Sequence, residues 1–100
     1  MSRLNVALLS DLHFEFRPDN GVKFVQALDP DGVDVLVVAG DLCTGGMIIS
    51  SLDLLCTRYR DAHVVYVHGN HEFYRTERAE VLRQTREAVA LYSNLTWLDG

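Results

Sequence analysis

The sequence predicts an α/β fold in which the strands form a parallel sheet. Short apolar runs rich in β-branched residues alternate with segments of helical periodicity, and turn residues separate them. Alternating strands and helices are typical of βαβ units with parallel strands. The composition, 48% hydrophobic and 23% charged, is that of a globular chain, and 100 residues fit one small domain or part of a larger one.

The first half of the chain is predicted to contain two strands and a short helix. Residues 4–9 (LNVALL) form an almost continuous apolar run, which predicts a strand covered on both faces. Residues 14–21 contain proline, asparagine and glycine and predict a loop, and residues 22–28 predict a short helix. The clearest strand is residues 34–39 (DVLVVA), because it is β-branched, uninterrupted and bounded by turn residues.

The second half is predicted to contain two longer helices and two further strands. A helix over residues 47–60 precedes a strand over 64–67, and a helix over 77–92, with Thr76 as its N-cap, precedes a short strand over 95–98. The inner face of the first of these helices is predicted to be the apolar stripe of Ile48, Leu52, Leu55 and Tyr59. The inner face of the second is predicted to contain Leu82, Thr85, Val89 and Tyr92.

A polar residue lies just beyond the end of each of the first three predicted strands. These residues are Asp11, Asp41 and Asn70, and successive members are 30 and 29 residues apart, one βα unit per step. Since parallel strands end at the same edge of a sheet, we expect these side chains to converge there with His13 and His71. Oxygen and nitrogen ligands of this kind suit Mn²⁺, Fe or Zn²⁺ better than Mg²⁺.

Each of these residues also has a structural interpretation when it is taken alone. Asp11 could cap a turn and His13 could be a surface histidine, but their shared position at strand ends favours a common site. His63 is expected to face solvent. His68 is expected to have a structural role, with a place beside the site as the alternative. Glu72 is expected to orient its neighbours at the start of the following helix rather than to bind metal.

The charge and the cysteine content exclude several classes of function. A net charge of −5 provides no general attraction to nucleic acid or anionic lipid, so no stable nucleic-acid binding is expected. No apolar stretch approaches the ~20 residues of a membrane span, and the amino terminus does not resemble a signal peptide. Cys43 and Cys56 form neither a metal-binding nor a disulfide pattern, which predicts buried thiols in a reduced, cytoplasmic protein.

Three motifs together carry a family resemblance. They are D-x-H (Asp11, His13), G-D (Gly40, Asp41) and G-N-H-E (residues 69–72). In this order and with these spacings they resemble the calcineurin-like metallophosphoesterase superfamily. The first two motifs are common, whereas G-N-H-E after a β-branched strand is specific. The resemblance implies a layered α/β sandwich of the metallophosphoesterase type, of which this chain contains the first βαβαβαβ portion.

The resemblance also implies a role for each site residue. Asp11 and His13 would bind a first metal, Asp41 would bridge two metals, and Asn70 would bind the second. His71 would act near the leaving-group oxygen as a general acid or as a stabiliser of the transition state. The implied function is phosphoester hydrolysis, as a phosphatase or phosphodiesterase, by water that two divalent ions (Mn, Fe or Zn) activate. The substrate would be a phosphoester small molecule or a nucleotide.

Two departures from the family pattern change these expectations. The family's later lone His and its G-H-x-H motif do not occur in residues 1–100, which are therefore expected to be a partial domain that holds one ion or none by itself. The alternative function is an inactive remnant or interaction module that binds at most one metal or a phosphate ligand. Protein phosphatases of this superfamily have Asp-Arg-Gly shortly after Gly-Asp, and a separate Arg just before G-N-H-E. Here Asp-Arg-Gly is absent after Gly40-Asp41, and His68 stands where that separate Arg would be, which disfavours a phosphoprotein substrate. An unpaired sheet edge would favour self-association.

Overall fold

The fold is a four-stranded parallel sheet with helices between successive strands. The computed structural model describes residues 3–73 and 76–98. Each strand pairs in parallel with the next one in the chain, so the sheet order is the sequence order, and the predicted α/β class is confirmed. The strands are β1 (Val6–Leu9), β2 (Val35–Ala39), β3 (His63–Val67) and β4 (Leu95–Trp97).

Within the described residues, three α-helices connect the strands, and α2 packs against both of its neighbours. Crossover connections between parallel strands are almost always right-handed, and every step here moves one strand along in the same direction, so the helices all cover one face of the sheet. The helices are α1 (Val22–Gln26), α2 (Ile48–Arg58) and α3 (Arg78–Leu91). None of the helices within the described residues has the length and apolar character needed to span a bilayer.

The core lies between the helices and the covered face of the sheet. Alternate residues of the central strands are fully buried there, namely Leu36, Val38, Val64 and Tyr66. The predicted stripe of α2 faces them, and all four of its members are buried: Ile48, Leu52, Leu55 and Tyr59. The prediction for this helix is confirmed, because residues spaced three and four apart share one side of an α-helix.

The prediction that the first strand is covered on both faces is wrong. Val6 is 56% exposed and Leu8 is 67% exposed, and both alternate with the half-buried Ala7 and Leu9. The reason is that the helices cover one face of the sheet and leave the other open. The apolar run therefore predicted the strand correctly, but it did not show that only one face of the strand is covered.

The inner face of α3 also differs from its prediction. The buried residues are Val81, Gln84, Thr85 and Ala88, whereas Leu82, Val89 and Tyr92 are half-buried. Thr85 can face inward because its hydroxyl donates to the carbonyl oxygen of Val81 at 2.8 Å. The N-cap is Glu77 rather than Thr76, and it makes no side-chain capping bond.

Candidate metal centre

The carboxyl ends of β1, β2 and β3 lie at one edge of the sheet, as predicted. Leu9 pairs with Val38, and Ala39 pairs with Val67, so the three strands end at nearly the same level. The polar residues that follow them therefore start from neighbouring positions, because each strand delivers its next residues to the same edge.

The pairing of β1 with β2 continues beyond the strands and aligns their loops. The backbone N–H of Asp11 donates to the carbonyl oxygen of Gly40 at 3.2 Å, and the N–H of His13 donates to that of Asp41 at 3.0 Å. These bonds set the D-x-H segment beside the G-D segment. The convergence of the two motifs thus comes from backbone hydrogen bonds and does not require contacts between their side chains.

Three of the predicted site residues come together at this edge. Ligand atoms of Asp11, His13 and Asp41 all lie within 4.8 Å of one another. Asp11 is exposed, and the other two residues are half-buried, so the group is accessible from solvent. Two carboxylates and an imidazole at this separation fit a divalent ion such as Mn²⁺, Fe²⁺ or Zn²⁺, which accept mixed oxygen and nitrogen ligands.

The same three residues have left-handed backbone conformations. Their φ angles are 54° at Asp11, 47° at His13 and 51° at Asp41. Such a conformation costs about 1–2 kcal/mol for most residues with a Cβ, although aspartate and histidine adopt it more readily than others do. Backbone strain of this kind clusters at functional sites, where the surrounding structure imposes it. The sequence did not reveal it.

Asn70 starts close to this group, whereas the side chain of His71 lies outside the part of the chain that the structure describes. Asn70 begins a 3₁₀ turn, Asn70–Phe73, directly after β3. The preceding Gly69 lies against Asp41: a Cβ added to this glycine would be 2.5 Å from the backbone nitrogen and from Oδ1 of Asp41. The proposed roles of Asn70 and His71 stay predictions.

A family model described as calcineurin-like phosphoesterase matches residues 4–99. The chain belongs to this family. The resemblance inferred from the three motifs is thereby confirmed, and family membership supports a hydrolase that binds divalent metal ions. Comparisons with curated proteins and with solved structures give no match.

Glu72 contacts the site from the buried interior and does not belong to the close group of Asp11, His13 and Asp41. Its side chain is fully buried, and it accepts the backbone N–H of Gly69 at 3.1 Å, so it orients the start of the 3₁₀ turn that contains it rather than the start of the following helix. Burial raises the pKa of Glu72, although hydrogen bonds from Tyr66 and from the backbone oppose that shift. Burial and the neighbouring carboxylate of Glu72 also raise the pKa of Tyr66, which keeps this phenol protonated as a donor.

Two further histidines and a buried cysteine have structural surroundings. The imidazole of His68 lies 2.7 Å from the hydroxyl of Thr85 and packs against aromatic rings, as its structural interpretation predicted. Burial raises the pKa of Cys43 to about 12, so this thiol stays neutral and is a poor metal ligand. His63 is exposed, as expected. The rings around His68 are those of Tyr66, Phe73 and Trp97.

Proposed function

We propose that the chain is a metal-dependent phosphoester hydrolase, a phosphatase or phosphodiesterase that acts on a small molecule or a nucleotide. The observation that carries this proposal is the convergence of Asp11, His13 and Asp41 within 4.8 Å in a chain of the calcineurin-like phosphoesterase family. The open position of this group at the sheet edge supports access by a small substrate.

The proposed ligands divide between two divalent ions. Asp11 and His13 would hold the first, Asp41 would contribute to both, and Asn70 would hold the second. When bound, such ions supply Lewis acidity, which polarises phosphoryl oxygens and lowers the pKa of water. Mn²⁺, Fe and Zn²⁺ all suit this set of oxygen and nitrogen ligands.

The remaining roles follow from charge and from proton transfer. The chain has a net charge of −5, and two aspartates of the site repel an anionic phosphoester unless cations neutralise them. His71 would hold a proton for the leaving-group oxygen, since imidazole titrates near neutral pH. A cytoplasmic location is consistent with Cys43 and Cys56, which are free and buried.

A second candidate function is a module that binds one ion or a phosphate ligand without turnover. Its support is that the described residues contain a single group of three close His, Cys, Asp or Glu ligands. Three ligands suffice to hold one ion, whereas the two-ion mechanism needs further groups around the second ion.

Asp41→Asn tests the hydrolase with little change in shape. Asparagine tolerates the left-handed backbone at this position, so the variant removes charge and ligand strength without added strain. Metal-free protein is loaded with Mn²⁺ and assayed on p-nitrophenyl phosphate and bis(p-nitrophenyl) phosphate. We expect Mn²⁺-dependent turnover in the unsubstituted protein and a loss of at least roughly 100-fold in Asp41→Asn. Removal of a residue that only orients a metal ligand can already cost that much, and Asp41 is a proposed ligand itself.

Two further variants complete this experiment. His71→Ala should also lose most of the turnover, whereas Asp61→Asn, an exposed aspartate in the turn before β3, should retain it. Turnover that survives in Asp41→Asn would refute the proposed site. Stoichiometric binding of one Mn²⁺ without turnover in the unsubstituted protein would instead favour the binding module.

A further inference from the structure

The carboxylate of Glu72 connects the two loops that carry the proposed metal ligands. Oε1 accepts the backbone N–H of Asp41 at 3.0 Å and that of Gly69 at 3.1 Å. A single oxygen therefore joins the loop after β2 to the loop after β3. Asp41 is itself a proposed ligand, and Gly69 immediately precedes another, Asn70.

The second oxygen of Glu72 fixes the carboxylate in this orientation. Oε2 accepts the hydroxyl of Tyr66 at 2.5 Å and the backbone N–H of Leu42 at 3.4 Å. Glu72 and Tyr66 are both fully buried. A buried carboxylate is unfavourable unless donors surround it, and here four donors from three segments do so.

The two loops are also in close backbone contact. A Cβ added to Gly40 would lie 3.1 Å from the Cα of Gly69, and one added to Gly69 would lie 2.5 Å from the nitrogen of Asp41. Gly69 has no side chain to hold the loops apart, and the side chain of Asp41 lies directly against it. Their relative position therefore depends on backbone contact and on the hydrogen bonds to Glu72.

We propose that Glu72 is a positioning residue of the metal centre: its carboxylate holds Asp41 and Asn70 at the separation that metal binding requires. Glu72 acts as a hydrogen-bond acceptor and makes no bond to the metal. The inference rests on the proposed function, because it assumes that Asp41 and Asn70 are ligands.

Two substitutions separate this role from a metal-binding one. Glu72→Gln keeps one oxygen for the N–H groups of Asp41 and Gly69, and its amide can donate to the hydroxyl of Tyr66, which is also an acceptor. Glu72→Met has a similar length but leaves those N–H groups without an acceptor. A positioning residue is rescued by glutamine, whereas a residue whose negative charge the ion needs is not.

The main measurement is the Kd for Mn²⁺, which is determined by electron paramagnetic resonance. It is made at a temperature where circular dichroism shows each variant to be folded. We expect Glu72→Gln to bind within about threefold of the unsubstituted protein. Glu72→Met should bind 10- to 100-fold more weakly, the range for loss of a partner that orients a ligand. An unchanged Kd in Glu72→Met would show that Glu72 has a purely structural role, and a tenfold loss in Glu72→Gln would show that metal binding needs its negative charge rather than its hydrogen bonds; either result overturns the proposal.

Amide hydrogen exchange gives a second measurement that needs neither metal nor activity. The amides of Asp41 and Gly69 should be protected in the unsubstituted protein, because Glu72 accepts both. Rapid exchange of both amides would refute the connection even if Glu72→Met fails to fold. If the unsubstituted protein does not bind Mn²⁺, the proposed function fails, while protection of these two amides still shows whether Glu72 joins the loops.

Discussion

Backbone conformation restricts which residues the site can accept. Asp11, His13 and Asp41 all have φ angles between 47° and 54°, in the left-handed region. Aspartate and asparagine enter this region more readily than most residues with a Cβ. Substitution of Asp41 by asparagine therefore changes its chemistry alone, whereas substitution by a β-branched residue would add strain. The close approach of Gly69 to Asp41 is a second restriction of this kind.

Gly69→Ala should disrupt the site through contact with the neighbouring loop. The new Cβ would lie 2.5 Å from both the backbone nitrogen and Oδ1 of Asp41, which real contacts do not allow, so one loop must move. We expect a loss of about 1–3 kcal/mol in the free energy of unfolding, as for other overpacked positions. Affinity for Mn²⁺ should fall as well. Urea unfolding and Mn²⁺ titration measure the two effects.

Gly46→Ala is the matched control for this substitution. A Cβ at Gly46 meets nothing within 4 Å, so its unfolding free energy should stay within about 0.5 kcal/mol of that of the unsubstituted protein. If the two variants were equally stable and bound Mn²⁺ equally well, the packing of Gly69 against Asp41 would be of no consequence for the site.

At the scale of elements, a hydrogen bond joins the end of α3 to α2. Tyr92, the residue after the last turn of α3, donates its hydroxyl to the carboxylate of Asp53 on α2. Burial and this carboxylate raise the pKa of Tyr92 to about 12. The two helices pack side by side over the sheet, so this bond fixes the far end of one against the middle of the other.

Tyr92→Phe should lower stability at neutral pH, and the difference should shrink at high pH. Loss of one partly exposed hydrogen bond costs about 1 kcal/mol. A tyrosine in the unfolded chain ionises near pH ~10, whereas the pKa of Tyr92 in the folded protein is about 12. Between these values the folded state retains a proton that the unfolded state has lost, so the contribution of Tyr92 to stability declines as pH rises through this interval.

Urea unfolding of both proteins at neutral pH and at about pH 11, midway between those two pKa values, tests this expectation. Asp53→Asn is a useful control, because it keeps an acceptor for the hydroxyl of Tyr92 but removes the charge. It should show a smaller dependence on pH over the same range. A difference between Tyr92→Phe and the unsubstituted protein that does not change with pH would contradict the proposed coupling of Tyr92 to Asp53.

The elements differ in how far the sequence determined them. The stripe of α2 was predictable, because only one side of a helix can hold residues spaced three and four apart. The approach of Asp11, His13 and Asp41 was predictable in outline, because parallel strands deliver their ends to one edge. The open face of β1 was not, since an apolar run is equally compatible with one covered face or two.

The hydrogen bonds of Glu72 were also only partly predictable. A glutamate at the third position of a helical turn reaches back to the N–H of the residue just before the turn, which is a local rule. Its bonds to Asp41 and Leu42 join residues 31 and 30 positions apart and use backbone donors, which every residue type except proline provides. Side-chain identity carries no information about such contacts. They follow from how the two loops pack.

At the scale of the whole molecule, the sheet has one covered face and one open face. The open face contains Leu8, which is 67% exposed, and Val6, which is 56% exposed. Half-buried valines of β2 and β3 continue this apolar surface. Soluble monomers rarely expose a large contiguous apolar area, and within the described residues no strand pairs with the outer edge of β1. The valines are Val35, Val37, Val65 and Val67.

We expect the purified chain to self-associate through this open face, because a second copy is the available partner in a pure solution. Leu8→Lys places a charge on both the open face and the edge strand, a common means by which proteins prevent strand pairing. Sedimentation over a dilution series should show species heavier than 11.3 kDa for the unsubstituted protein and a shift towards the monomer for Leu8→Lys. Leu91→Lys, at a residue of α3 that is 59% exposed, makes the same chemical change on the opposite side and should leave association unaltered. A monomer at every concentration, or equal effects of the two lysines, would show that the open face does not mediate association.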